Sequence, residues 1–129
     1  MIVLDTHALL WWALDPDQLS GRARDLVAQM ERRGGFASSI SVWELGIKVQ
    51  RGKLDLGIDI EEFAKRVRMS GVVELLPVDA TVWLRSLALE WDHRDPADRV
   101  IVATALLNDV PVLTKDETIH SFEGITALW

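Results

Sequence analysis

The chain has 129 residues, 49% of them apolar and 26% charged, with no cysteine and a formal charge of −6. At roughly 150 residues per domain this is one globular domain, 1–129, long enough to bury a core, and not a disordered segment. Absence of cysteine excludes disulfides, thiolate catalysis and Cys-based zinc sites, and the acidic balance argues against a simple basic nucleic-acid binder. No stretch free of charge exceeds the ten residues 34–43, about half what a membrane helix needs. The N-terminus reaches Asp5 without a basic leader region, so no signal peptide is expected, and the protein reads as cytoplasmic.

The first β-prone run, 2–4, ends at Asp5. Residues 6–14 are apolar enough for a short helix, stopped before Pro16. Ser20 is a good N-cap for a helix to about Arg33, with Leu26, Val27 and Met30 at helical spacing, and Gly34-Gly35 ends it. Residues 36–38 read as a strand. Ser41 and Glu44 have capping-box spacing and predict a helix opening there and running to about Gln50. After a turn over 52–57, Asp59 caps a helix to about Met69. A strand over 72–76 follows, then a helix from Asp79 to about Trp91. Asp95 as N-cap with Pro96 behind it opens a helix to about Asn108. Residues 112–114 and 125–128 are the last strands. Strands alternating with helices predict an α/β fold: a central, mostly parallel β-sheet of four to five strands with helices on both faces.

In such sheets ligands bind at the carboxyl ends of the strands. Asp5 follows the first strand and Asp116 lies two residues after Thr114. Glu44 and Asp98 lie near helix N-termini, which start on the same edge. Four carboxylates from distant segments therefore converge on one rim. Behind Asp98, residues Ile101, Val102, Ala105 and Leu106 form an apolar helix face, and an acid leading such a face is costly to ionise unless a cation or donors meet it. Each acid also has a plain structural reading. Glu44 and Asp98 suit the third helical position, and Asp116 suits a cap for 117–121. Asp5 is the hardest to explain as a turn residue alone. Clustered carboxylates repel, and a divalent cation such as Mg²⁺ or Mn²⁺, which favours oxygen ligands, relieves that repulsion.

The opening Met1-Ile-Val-Leu-Asp-Thr-His-Ala-Leu-Leu-Trp-Trp12 resembles the start of PIN-domain proteins, in their VapC-like toxin branch. Ser41-Val-Trp-Glu-Leu-Gly-Ile-Lys48 with Arg51-Gly-Lys-Leu54 is similar to that branch's second motif. His93-Arg-Asp-Pro-Ala-Asp-Arg-Val-Ile-Val-Ala-Thr-Ala105 is similar to its third, and Leu113-Thr-Lys-Asp-Glu117 to its fourth. The four run in order along essentially the whole chain. The resemblance implies a Mg²⁺- or Mn²⁺-dependent endoribonuclease that is the toxin of a toxin–antitoxin pair. It makes Asp5, Glu44 and Asp98 the metal-binding and catalytic acids and Asp116 the more variable fourth. It sets the Thr6 and Thr114 hydroxyls near the site. It also implies hydrolysis to a 5′-phosphate and a 3′-hydroxyl, a homodimer, and an antitoxin seated in an apolar groove. No membrane association is expected.

Among the remaining features, Asp95 reads as a helix cap. His7, His93 and His120 lack metal-ligand spacing, and His7 and His93 read as surface groups or as support beside a metal site. Of the basic groups, Lys48, Arg51 and Lys53 best suit contact with an RNA backbone, because they follow Glu44. Trp11 and Trp12 are consecutive, so they face different sides of a helix; either one is core and the other available to an interface, or both are core. A dehalogenase-type phosphatase needs an acid where His7 stands, and a receiver domain needs a phosphoacceptor Asp where serines follow Phe36. A non-catalytic RNA- or protein-binding module, or a DNA- or structure-specific nuclease on the same fold, are the alternatives to the ribonuclease.

Overall fold

The computed structural model describes residues 1–129. Five strands form one sheet in the order β3-β2-β1-β4-β5, every neighbouring pair parallel. They are β1 (Val3–Leu4), β2 (Gly35–Ser38), β3 (Val73–Leu76), β4 (Val112–Leu113) and β5 (Ala127–Leu128). The expected mostly parallel sheet is thus wholly parallel. The strands are short, and β1 sits at the centre. From β1 the chain builds outward through β2 and β3, then returns to the other side of β1 for β4 and β5. The strand order therefore reverses between β1 and β4, where an open α/β sheet forms its binding crevice.

Seven helices connect the strands: α1 (Thr6–Leu14), α2 (Gly21–Arg33), α3 (Ser39–Gln50), α4 (Ile60–Met69), α5 (Ala80–Ala88), α6 (Pro96–Asn108) and α7 (Glu117–His120), with a 3₁₀ turn at Pro16–Gln18. The two-residue side-chain period of the strands splits the core between two faces. Leu4, Ala37 and Leu113 point into a cluster with Ala8, Leu9, Val27, Met30, Leu45, Phe63 and Val67. Val3 and Val112 point the other way, onto Val100, Ile101, Ala105 and Ile119. Helices cover both faces, as expected. Helix α6 is apolar on nearly all sides, with the run from Val100 to Ala105 fully buried.

The caps mostly follow the sequence. Ser20, Asp59, Asp79 and Asp95 each accept a hydrogen bond from a backbone N–H of the first turn. Gly34 ends α2 at φ +85°, a left-handed geometry that disfavours any side chain. The expected strand over 125–128 is confined to Ala127–Leu128, the other strand ends shift by one residue, and two helix boundaries differ from expectation. Helix α3 starts at Ser39 with Ser38 as its cap, so Ser41 and Glu44 are not a capping box. The serine run 38, 39 and 41 offers three candidate caps, and strand β2 ends early enough for the first to win. Helix α5 stops at Ala88, short of Trp91, because residues 89–93 are held in another way, described below. No helix is long and apolar enough to cross a membrane.

Candidate active site

Strand β1 delivers Asp5 to the crevice. Its backbone N–H donates to the Leu113 carbonyl of β4 (3.1 Å), which ties it to the neighbouring strand. One carboxylate oxygen caps α1 by accepting from the Ala8 N–H at 2.8 Å. The other accepts the hydroxyl of Thr114. Asp5 is only 4% exposed. Burial pushes its carboxyl up from 3.8 to about 6, the two hydrogen bonds oppose that rise, and the charges of Asp116 and Glu44 add to it.

Helix α3 brings Glu44, half-buried, in its second turn. Two hydroxyls fix α3 against α1: Thr6 Oγ1 and Ser41 Oγ are hydrogen-bonded at 2.9 Å in a fully buried pair. Thr6 thus locks the helices that carry Asp5 and Glu44 and does not bond to either acid. Ser41 has that role in place of the cap that its spacing suggested.

Asp98 lies in the first turn of α6 behind the Asp95 cap. His93 Nε2 is 2.6 Å from Asp98 Oδ2. Burial raises the Asp98 carboxyl from 3.8 to about 6, the His93 hydrogen bond opposes this, and the charges of Asp95 and Asp116 reinforce it. His93, Asp95 and Asp98 each place a ligand atom within 4.8 Å of the others. That grouping is tight because it closes a loop. Asp95 Oδ1 already accepts from the Ala97 N–H at 2.9 Å, and His93 is spent on Asp98. We read the trio as a brace for Asp98, which supports the cap reading of Asp95 and the supporting reading of His93.

Arg99 holds that brace in place. Its guanidinium donates to four carbonyls: Ser86 (2.8 and 3.1 Å), Leu89 (3.0 Å), Trp91 (2.7 Å) and His93 (2.9 Å). Those carbonyls end α5 and line the connection to α6. Helix α5 stops early because Arg99 takes up the carbonyls that a longer helix would have used. Sequence reading missed Arg99. Its only signal was an arginine beside Asp98 in an otherwise apolar helix.

Asp116 follows β4 and is exposed. It caps the short α7 through the Thr118 N–H (2.8 Å). Thr114 links it to Asp5: its hydroxyl donates to Asp5 while accepting from the Asp116 N–H at 3.0 Å. His120 Nε2 in turn meets the Thr114 carbonyl at 2.7 Å, a support that the sequence did not reveal. His7 is exposed, and four site charges reach it. The partial burial of its ring and Lys48 pull it below its ordinary value, while Glu44, Asp116 and Asp98 oppose that.

The charges of Glu44, Asp98 and Asp116 all act on His7, two residues after Asp5, and those of Glu44 and Asp116 act on Asp5 itself. None of the protein's three ion pairs gives Asp5, Glu44 or Asp116 a cationic partner. A nearly buried carboxylate without a counter-charge, beside further carboxylates, is costly. The donors are all hard oxygens, and each carboxylate oxygen keeps a lone pair beyond its present hydrogen bond. This set fits a small divalent cation. Lys48 lies in the last turn of α3, one helical turn after Glu44. Arg51 and Lys53 are exposed past the end of α3, roughly 10 Å farther along its axis than Glu44.

The PIN domain family model matches residues 2–125. The chain belongs to the PIN-domain family. Ribonuclease VapC22 of Mycobacterium tuberculosis is 27% identical to this PIN domain over 124 residues, covering 93% of the chain and 90% of the relative. Among solved structures, FitAcB from Neisseria gonorrhoeae superposes with a TM-score of 0.69 at 23% identity, over 100% of this PIN domain and 97% of that chain. A toxin–antitoxin complex from Klebsiella pneumoniae gives 0.64 at 19% identity, over 100% and 97% respectively.

Proposed function

We propose that this PIN domain is a metal-dependent endoribonuclease and the toxin of a toxin–antitoxin pair. The observation that carries the reading is Asp5, nearly buried, hydrogen-bonded through both oxygens, flanked by acidic charge and matched to no cation. Asp5, Glu44, Asp98 and Asp116 are the residues that would hold Mg²⁺ or Mn²⁺. When bound, such a cation stabilises charge on a phosphodiester and lowers the pKa of water. The chain's own part is positional. The Thr114 hydroxyl and the Ala8 N–H fix both oxygens of Asp5, His93 fixes one oxygen of Asp98, and Thr6–Ser41 sets the distance between α1 and α3. Lys48 offers a cation to the RNA backbone beside the acids.

The named relative is a ribonuclease, and the similar solved structures include toxin–antitoxin complexes. The first supports an RNA substrate and the second an antitoxin partner; a homodimer and a cytoplasmic setting belong to the same proposal. The test is cleavage of total RNA and defined oligonucleotides by the purified wild-type protein and by Asp5→Asn, each with Mg²⁺, Mn²⁺ or EDTA. The expected result is metal-dependent cutting to 5′-phosphate and 3′-hydroxyl ends, absent with Asp5→Asn and in EDTA. Equal cutting by both proteins overturns the assignment.

A further inference from the structure

The acids account for the phosphodiester chemistry and leave an aromatic ladder beside them unexplained. His7 lies one helical turn before Trp11, and their ring centroids are 5.4 Å apart at a 40° tilt. Trp11 in turn meets Trp129 at 5.7 Å and 57°. Trp129 follows β5, where the Leu128 carbonyl accepts from the Thr114 N–H at 3.0 Å. The end of the chain is therefore tied to the strand that carries the site. The Lys115 ammonium lies 5.8 Å from the centre of the Trp11 ring. Trp11 and Trp129 are half-buried against the core, whereas His7 and Lys115 are exposed. The ladder has a fixed base and an open top.

His7 differs from the other two histidines. His93 and His120 spend a ring nitrogen on Asp98 and on the Thr114 carbonyl. His7 makes no such bond, yet Lys48, Glu44, Asp98 and Asp116 all act on it. An exposed flat ring, two residues from Asp5, thus rests on an indole that carries a lysine, within reach of the charges of Lys48 and the acids. Sites for single-stranded nucleic acid combine these same parts: cations for the backbone and aromatic faces on which bases stack.

We propose that His7, backed by Trp11 and Trp129 with Lys115 over the Trp11 ring, is a stacking subsite for an unpaired nucleobase next to the phosphodiester that is cut. This rests on the ribonuclease reading above. It implies cutting in loops or single strands, because a base inside a duplex has both faces covered by its neighbours.

The test measures binding separately from cleavage. Asp5→Asn protein with Mg²⁺ is titrated into fluorescein-labelled single-stranded RNA that the wild type cuts. One nucleotide at a time is replaced by an abasic unit. One position is expected to lose affinity by about 5- to 150-fold, the range for a lost base–aromatic stack. Adding His7→Ala weakens the intact strand by a similar factor and removes sensitivity at that position, and His7→Phe restores both. Lys115→Ala lowers affinity for every strand and reduces its salt dependence without moving the sensitive position. Thermal unfolding of each variant checks the fold. A flat abasic series, or His7→Ala that keeps the sensitive position, overturns the subsite. His7→Ala that spares RNA but weakens a protein partner also overturns it, in favour of a protein contact. If the wild type cuts RNA while the series is flat, only the subsite fails. If it neither cuts nor binds any RNA, the ribonuclease reading fails with it.

Discussion

Replacing Asp5 with Asn is expected to stabilise the metal-free protein while abolishing its metal response. The folded-state carboxyl is raised from 3.8 to about 6. Between those values the folded chain binds more protons than the unfolded one, so the Asp5 contribution to stability falls as pH rises and is fully unfavourable above about 6. At 1.36 kcal/mol per pKa unit the cost of the buried charge is about 3 kcal/mol. Asparagine removes the charge, and its side-chain carbonyl still caps the Ala8 N–H. Its amide, however, donates to Thr114 where the carboxylate accepted, which offsets about 1 kcal/mol. The net gain is about 2 kcal/mol, a rise in Tm of roughly 5–8 °C for a chain of this size. The assay is thermal unfolding in EDTA at pH 7.5 and at pH 4, with Mg²⁺ or Mn²⁺ added in parallel. The Asn variant gains at pH 7.5, loses that gain at pH 4, and shows little rise on adding metal. The wild type rises with metal at pH 7.5. An Asn variant less stable than wild type in EDTA at pH 7.5 refutes the claim that Asp5 is an uncompensated charge.

Three further outcomes follow from the same geometry. Mn²⁺ affinity, read by calorimetry, is expected to fall steeply as pH drops through about 6, because protons on Asp5 and Asp98 compete with the cation; an affinity flat from pH 7.5 to 5 argues against both as ligands. Glu44→Gln should lower RNA cleavage at least about 100-fold with little change in Tm, since Glu44 has neither a cap nor an ion pair to lose; retained cleavage removes it from the site. Arg99→Lys should destabilise the fold by about 2–4 kcal/mol, because one ammonium cannot span four carbonyls; unchanged thermal unfolding shows that the clamp contributes nothing.

What was legible in the sequence was mostly periodicity and punctuation. The alternation of short apolar runs with capped helices specified a parallel α/β sheet, and the rule for strand ends then placed Asp5 and Asp116 on one rim. Asp95-Pro96 marked the start of α6 to the residue. Ser41–Glu44 failed because capping-box spacing is local, whereas the helix start was set by where β2 leaves the sheet. Ser41 is instead spent on Thr6, a partner 35 residues away, and no local pattern encodes such a pair. The same holds for Arg99 and His120, which act on backbone carbonyls that carry no residue signature. The sequence left two arrangements open for Trp11 and Trp12, one buried and one exposed or both in the core, and both are half-buried against the same core cluster. Trp12 also donates its ring N–H to Glu31 (3.2 Å). A 100° step around a helix does not force one neighbour out when a loop or terminus closes over the other, as Trp129 does over Trp11.

The structural and functional readings of the acids turn out to be one arrangement. Asp5 caps α1 and Asp116 caps α7, while Asp98 stands in the first turn of α6. Helix N-termini carry partial positive charge and free N–H groups, so they accept carboxylates that the interior would reject. In a parallel sheet every helix that follows a strand begins at the same edge, so caps at that edge necessarily approach one another. The fold can therefore gather acids before any cation arrives, each held by a local helix end at modest cost. The two raised carboxyls, Asp5 and Asp98, show where that local compensation falls short. Both are acids for which burial outweighs the hydrogen bonds, so both have the most to gain from a divalent cation. Glu44 is the exception that sharpens the case. It caps nothing, pairs with nothing and still stands beside Asp5. Helix N-termini explain three of the four acids without invoking chemistry, Asp5 and Asp116 as caps and Asp98 as a first-turn acid, and they leave Glu44 without a structural reason to be there.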